Sequence, residues 1–304
     1  MKYSVIIPVY NKANTIVESI ESVLAQSEKD FELIIVNDGS TDNIEEVLKV
    51  YKDIRLINQK NGGVSVARNT GINNAKGNYI CFLDADDIWL PNHLEEFNKL
   101  IMDFPSAKLF ATSHIETTDD GIETHSSDNI KDYPERFVVF NLFELLNTHA
   151  YGIINTNSVC INKDIFLKHN IYFEPGEKIG EDTDVWYRIG LISEVAISKI
   201  ETNIYRREHS TATKEGNQNF DWVFARRYSE IENNNYDFER VLECGKMIDR
   251  YKLSCCRDYI LLKNRKKAKE LLKTVKYHEK RYYATLLIVN LPYFLGIWLI
   301  KRIL

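Results

Sequence analysis

Two acidic clusters lie roughly a hundred residues apart in this 304-residue chain. The first, Asp84-Ala85-Asp86-Asp87, directly follows the apolar run Tyr79-Ile80-Cys81-Phe82-Leu83. The second, Gly180-Glu181-Asp182-Thr183-Asp184, opens an amphipathic stretch. A short apolar run reads as a buried strand, so the first cluster sits where a strand leaves its sheet. Ligands of open α/β sheets bind outside the carboxyl ends of the strands. Carboxylates there with one residue between them, as Asp84 and Asp86 have, suit a hard divalent cation that already carries phosphate oxygens. Three crowded carboxylates repel one another unless a cation or solvent relieves them. In the second cluster Glu181 and Asp182 are the candidate catalytic carboxylates, offering a general base. Capping a helix start explains one acid there, but not two adjacent acids followed by Asp184. Metal-held pyrophosphate plus a base points to transfer from a nucleotide-activated donor.

Asp38 lies in Val36-Asn37-Asp38-Gly39-Ser40-Thr41-Asp42, at the end of another strand. A carboxylate placed so can accept hydrogen bonds from a ribose or a base N–H. Taken alone, the segment reads as a turn before a helix. Asn61-Gly62-Gly63 permits close backbone approach, and Arg68 on the next helix suits a phosphate or a base face. His209 is a lone histidine in Tyr205-Arg206-Arg207-Glu208-His209-Ser210; an acidic metal site needs further ligands, and imidazole suits Mn²⁺. No GxGxxG follows the first strand, so a dinucleotide-type reading fails at its most diagnostic point.

The elements that must position these residues alternate through the first hundred positions. Ser4–Tyr10, Phe31–Val36, Arg55–Gln59 and the run ending at Leu83 read as strands. Helices are expected from Ile16, Ile20, Val23 and Leu24 on one face, from Asp42 to about Tyr51, over Ser65–Ala75, and from Pro91 to about Phe104. Asp42-x-x-Glu45 has the spacing of a capping box. This order implies a mostly parallel sheet with helices on both faces, an α/β fold. Lys108–Thr112 and Thr156–Asn162 read as further strands. Asp119-Asp120-Gly121 and Ser126–Pro134 look like loops. Thr183–Ile192 reads as a helix, and Ile197–Tyr205 carries short strand signals. Beyond about Lys214 only helices are expected: Phe220–Asn233, Val241–Leu262 and Arg265–Val275. We place a domain change near 215, giving a catalytic domain over 1–215 and a helical region over 216–304.

Composition narrows the class. The chain is long enough for a sizeable core, and its net charge of −5 gives no reason to expect nucleic-acid binding. Five cysteines without a CxxC, one inside an apolar strand, point to thiols in a reducing, cytoplasmic compartment. Met1-Lys2 runs straight into a strand too short for a signal core. The segment Ala284–Ile300 is strongly apolar, is broken by Asn290, Pro292 and Gly296, and is flanked by Lys280-Arg281-Tyr282-Tyr283 and Lys301-Arg302. It is shorter than the roughly 20 residues of a spanning helix. Its flanks suit peripheral contact of 280–304 with a membrane interface; docking on the protein's own core is the other main reading.

The succession Ser4-Val-Ile-Ile-Pro-Val-Tyr-Asn11, Val36–Asp42, Asn61-Gly-Gly…Ala67-Arg-Asn69, Leu83-Asp-Ala-Asp-Asp87 and Gly180-Glu-Asp182 resembles the family 2 inverting glycosyltransferases of the GT-A fold. The resemblance covers about residues 1–215, specifies the family rather than the sugar, and implies a Rossmann-like mixed sheet with helices on both faces, followed by a small helical C-terminal region. It implies that Pro8, Val9 and Tyr10 line a uracil pocket and Asp38 contacts the uracil. Arg68 would contact the nucleotide, Asp84 would reach the ribose, and Asp86 would bind Mn²⁺ or Mg²⁺. Asp182 would be the base, and His209 resembles a histidine that completes the metal site in some members. The implied donor is a UDP-sugar. The implied acceptor is a saccharide or lipid-linked saccharide, as in bacterial surface polysaccharide synthesis at the inner face of the cytoplasmic membrane. Two rivals are weighed. A nucleotidylyltransferase would want a glycine- and basic-rich loop where Tyr10-Asn11-Lys12-Ala13-Asn14 stands. A non-catalytic UDP-sugar-binding module would need no base.

Overall fold

The computed structural model describes all residues except 119, 149–151, 178, 208–221 and 304. The first half alternates as expected: β1 (Tyr3–Val9), α1 (Ile16–Leu24), β2 (Phe31–Asn37), α2 (Ile44–Leu48), β3 (Ile54–Asn58), α3 (Val64–Asn74), β4 (Tyr79–Phe82), a two-residue β5 (Ile88–Trp89) and α4 (His93–Asp103). There follow β6 (Leu109–Thr117), β7 (Glu123–His125), β8 (Arg136–Val139), α5 (Leu142–Thr148), β9 (Val159–Asn162), α6 (Asp164–His169), α7 (Glu181–Ile192) and β10 (Val195–Arg206). Helices α8 (Val223–Glu232), α9 (Phe238–Leu261), α10 (Arg265–Leu272), α11 (Lys280–Asn290) and α12 (Tyr293–Ile303) close the chain.

The strands form one sheet in the order β3-β2-β1-β4-β9-β6-β10-β5, with β7 on β6 and β8 on β10. The β3-β2-β1-β4 half is parallel. β9 then enters antiparallel to both β4 and β6, so the sheet is mixed, as the GT-A resemblance implies, where the strand–helix alternation alone suggested a mostly parallel one. This inversion positions the site. β9 pairs Cys160 with Cys81 and Asn162 with Tyr79, so its start points to the edge where β1 and β4 end. Thr156, Asn157 and Ser158, expected as strand, instead form one 3-10 turn at that edge.

Both faces of the sheet are covered. Along β1, Tyr3, Val5, Ile7 and Val9 pack among α1 and α4, while Ile6 packs among α3 and α7, the alternation of a strand buried on both sides. Gly71 of α3 admits this approach: a Cβ there would stand 2.4 Å from Ile6 Cγ2. Phe224, Tyr228, Ile231, Cys244, Met247 and Ile248 belong to the same apolar cluster as Ile6 and Phe82. Helix α8 and the first half of α9 therefore share the core of the sheet region, across the boundary expected at 215.

Three local expectations are corrected. The Asp42/Glu45 capping box does not form. Asp42 Oδ2 accepts from Ala13 N at 2.9 Å, and Glu45 Oε1 accepts from Asn58 Nδ2 at 3.1 Å. Helix α2 runs for five residues and ends at Leu48. Pro91 precedes the α4 cap residue Asn92 instead of sitting in the first turn. Ser126–Ile130, expected as loop, is a 3-10 helix whose Ile130 is buried.

Candidate active site

The parallel strands and β9 leave a cavity of about 640 Å³ at their shared edge. Its walls include Pro8, Val9 and Tyr10 from the end of β1, Asp38 after β2, and Arg68 on α3. Asp84 and Asp86 after β4, and Glu181 and Asp182 at the start of α7, complete it. Every candidate site residue except one thus lines one space. The exception, His209, lies outside the described residues.

Arg68 is the strut of this floor. It is buried, and it donates from Nη1 to Glu181 Oε1 and from Nη2 to Asp84 Oδ1, both at 2.9 Å. Its guanidinium also lies over the Phe173 ring, 5.3 Å from the centroid. One buried cation thus ties the post-β4 loop to the start of α7. Burial and the neighbouring Asp182 raise the Glu181 pKa, while Arg68 opposes the rise. Glu181 is therefore held in place by Arg68, whereas Asp182 is only part-buried and faces the cavity.

Asp182 is held from two sides. Its Oδ2 accepts from Thr156 Oγ1 at 2.8 Å, and its Oδ1 accepts from the Thr183 backbone N–H at 2.6 Å. Gly180 precedes it at φ +80°, and a Cβ there would stand 2.7 Å from Trp222 Cδ1. Only glycine accommodates both that backbone and that contact.

Asp38 is buried. Its Oδ1 accepts from Gly62 N at 2.9 Å and Gln59 Nε2 at 2.7 Å, and its Oδ2 accepts from Gly63 N at 2.8 Å. The carboxylate shapes the glycine turn that walls the cavity, a role its position alone did not suggest.

In the first cluster the three aspartates do different work. Asp87 is buried and accepts from Asn157 Nδ2 at 2.6 Å and from Arg206 N at 2.7 Å. Burial and then the charges of Asp84 and Asp86 push its pKa well up. Asn157 also accepts from Asp84 N through Oδ1 at 2.8 Å, so it orders both ends of the acidic loop. Burial and Asp84 raise the Asp86 pKa too, against the effect of Lys12. Lys12 Nζ stands 2.7 Å from Asp86 Oδ2. Sequence reasoning missed Lys12, Thr156 and Asn157. Their partners are 74, 26 and 70 residues away, and the only local signal was a polar Thr-Asn-Ser directly before the apolar Val159-Cys160-Ile161.

The donor set fits a hard cation completed by its substrate. Asp84 and Asp86 offer carboxylate oxygens on one cavity wall, and Mg²⁺-type ions are commonly held by one or two carboxylates plus substrate phosphates. No cluster of three or more candidate ligands occurs among the described residues.

The model of the family described as "Glycosyl transferase family 2" matches residues 4–163. The uncharacterized glycosyltransferase RP339 of Rickettsia prowazekii is 33% identical over 214 residues, which cover 69% of this chain and 65% of that one. Glycosyltransferase GlyA of Streptococcus pneumoniae is 31% identical over 204 residues, covering 64% of this chain and 29% of that protein. An uncharacterized glycosyltransferase of Rickettsia felis is 52% identical over 97 residues, 31% of this chain but only 16% of its own length. The chain thus spans between about a sixth and two thirds of these rickettsial relatives. Among solved structures, S. aureus TarS 1-349 in complex with UDP-GlcNAc superposes with a TM-score of 0.66 at 18% identity, over 86% of this chain and 81% of that one. The fold is that of the GT-A enzymes.

Proposed function

The chain belongs to glycosyl transferase family 2, and from that premise we propose that it moves a sugar from a UDP-sugar to an acceptor hydroxyl with inversion. The acceptor on this reading is a saccharide or lipid-linked saccharide, in bacterial surface polysaccharide synthesis at the inner membrane face. One observation carries the proposal: the β1 end, Asp38, Arg68, the Asp84–Asp86 loop and Asp182 line a single cavity. A neighbour of the same fold, TarS, was crystallised with UDP-GlcNAc, which supports a uridine nucleotide as the occupant.

The roles on this reading are those the family resemblance implies, and the shared cavity supports them. Pro8, Val9 and Tyr10 wall the nucleobase end, beside the turn that Asp38 holds. Asp84, held by Arg68 at its carboxylate and by Asn157 at its backbone N–H, would accept from the ribose hydroxyls. Asp86 would hold Mn²⁺ or Mg²⁺, which when bound supplies Lewis-acid relief of charge on the leaving diphosphate. Asp182 takes the proton of the acceptor hydroxyl as that oxygen attacks the anomeric carbon from the face opposite UDP. Thr156 and Thr183 fix the carboxylate for that task, and Arg68 with Glu181 fixes the helix that carries it. A single displacement of this kind inverts configuration, as in single-displacement glycosidases. The catalytic unit on this reading is residues 1–215, with 216–304 as a helical region partly joined to its core.

A screen of UDP-sugars for UDP release, with and without an extract containing polysaccharide intermediates, tests the proposal. One UDP-sugar should give acceptor-stimulated release. Absence of release from every UDP-sugar, together with absence of UDP binding, would contradict it.

A further inference from the structure

The C-terminal hairpin has two faces of different fate. Leu291-Pro292 breaks the apolar segment into α11 and α12 of 11 residues each. Among the described residues no helix is long and apolar enough to cross a membrane. On the inner face, Ile288, Val289 and Ile300 pack against Leu253, Cys256 and Ile260 of α9 and Ala268 and Leu272 of α10. The hairpin is also fastened at its bend. Tyr293 Oη donates to Lys263 O at 2.7 Å and accepts from Arg265 N at 3.0 Å, and the Arg265 guanidinium lies over the Tyr293 ring. The segment is thus anchored to the protein.

The outer face stays exposed. Tyr283, Leu287, Phe294 and Trp298 are 60%, 58%, 71% and 49% exposed, with Leu286 and Leu295 beside them in sequence. Positions 283, 286 and 287, and again 294, 295 and 298, share a helical face. Scattered exposed apolar residues are ordinary, but a run of large ones along both helices of one hairpin marks an interaction surface.

Charge selects the occupant. Residues 263–304 hold eleven Lys and Arg against two acids, Glu270 and Glu279, in a chain whose net charge is −5. Lys266, Lys267, Lys269, Lys273, Lys280 and Arg281 are exposed. The Arg302 guanidinium lies over the Trp298 ring, 4.3 Å from its centroid, which joins a cation to an aromatic of the apolar face. Aromatic and aliphatic side chains beside clustered cations match the apolar boundary and anionic headgroups of a bilayer surface. A purely proteinaceous apolar partner would leave these cations without complement.

We infer that the outer face of the α11–α12 hairpin, with the basic residues of α10 and its flanks, docks the protein on an anionic phospholipid surface without crossing it. The inference stands on the hairpin itself and does not depend on the reading of the active site.

The test is co-sedimentation of the full chain with phosphatidylglycerol-rich vesicles and with phosphatidylcholine vesicles, at low and high salt. Circular dichroism melting and UDP binding are followed alongside. The wild type should pellet with the anionic vesicles, pellet less with the neutral ones, and be released by salt. A variant carrying Leu287→Ser, Phe294→Ser and Trp298→Ser should lose about tenfold or more in vesicle affinity with melting and UDP binding unchanged. Lys266→Glu with Lys273→Glu should weaken binding to anionic vesicles only. Wild-type protein remaining in the supernatant with both vesicle types would overturn the inference. So would equal pelleting of the triple serine variant, or analytical ultracentrifugation showing that the same three residues hold a dimer and that vesicles bind neither form. Loss of UDP binding in the wild type would count against the active-site reading alone.

Discussion

Lys12 Nζ lies 2.7 Å from Asp86 Oδ2, so the aspartate that would take a divalent cation already faces an ammonium. Both side chains are partly buried, which limits screening of the pair by solvent. A cation approaching Asp86 has to compete with this lysine. Once displaced, the lysine is left in the same cavity, where a diphosphate would be its natural partner.

Replacing Lys12 with Met should therefore tighten Mn²⁺ binding to the donor-free protein by about two- to fivefold, the range expected for loss of a partly exposed ion pair. The same variant should bind UDP more weakly when Mn²⁺ is present. Electron paramagnetic resonance of free Mn²⁺ and calorimetry with UDP read the two effects separately. Unchanged Mn²⁺ affinity would mean that Lys12 does not compete at Asp86.

Asp38→Ala should destabilise the fold as well as the site. It strips acceptors from two backbone N–H groups, Gly62 and Gly63, and from the Gln59 amide. Leaving such donors unpaired costs about 1–3 kcal/mol, so a clear drop in denaturation midpoint should accompany weaker UDP binding. Weaker binding with an unaltered midpoint would assign Asp38 to ligand contact alone.

Thr156→Val should reduce kcat by about ten- to a hundredfold while the KM for the donor stays near wild type, because Thr156 acts on Asp182. Thr156→Ser, which keeps the hydroxyl, should restore most of the rate. A rise in donor KM with kcat intact would show that Thr156 serves the nucleotide instead.

Two buried histidines should make the fold acid-sensitive. Burial holds His93 down at about 3, where Nδ1 meets Thr202 Oγ1 at 2.6 Å. Burial holds His114 at about 4, against the opposing pull of Glu201. Both folded values lie below the ordinary 6.5. Their contribution is therefore complete above about pH 6.5 and is lost as the pH falls towards the folded values, by about 2 kcal/mol for each at about pH 5. Melting of the wild type should fall between about pH 7 and about pH 5 more steeply than melting of a His93→Gln, His114→Asn variant. Parallel curves would show that other groups carry the acid response.

Much of the fold and of the candidate site was legible because its signals are local. Continuous apolar runs made β1, β2 and β4, and the acids follow those runs directly in sequence. What stayed hidden depends on long-range register. Strand β10 read as fragments because its pairing with β6 shifts register between Ser198 and Glu201 and again before Asn203, which breaks the period of two. The work of Thr156 and Asn157 rests on the antiparallel entry of β9, which no run of neighbouring residues announces. The tail's composition could not choose between core and interface because the hairpin buries one face on α9 and α10 and leaves the other exposed.

Asp182 carries the heaviest claim, and Asp182→Asn tests it most directly. The amide is nearly isosteric, and its oxygen can still accept from Thr156 or Thr183, but it cannot take a proton. The account predicts UDP-sugar binding close to wild type and acceptor-dependent transfer lower by about 10²- to 10⁴-fold. Transfer at the wild-type rate, or a loss of donor affinity as large as the loss of rate, would contradict it and leave Asp182 as a structural residue at the start of α7.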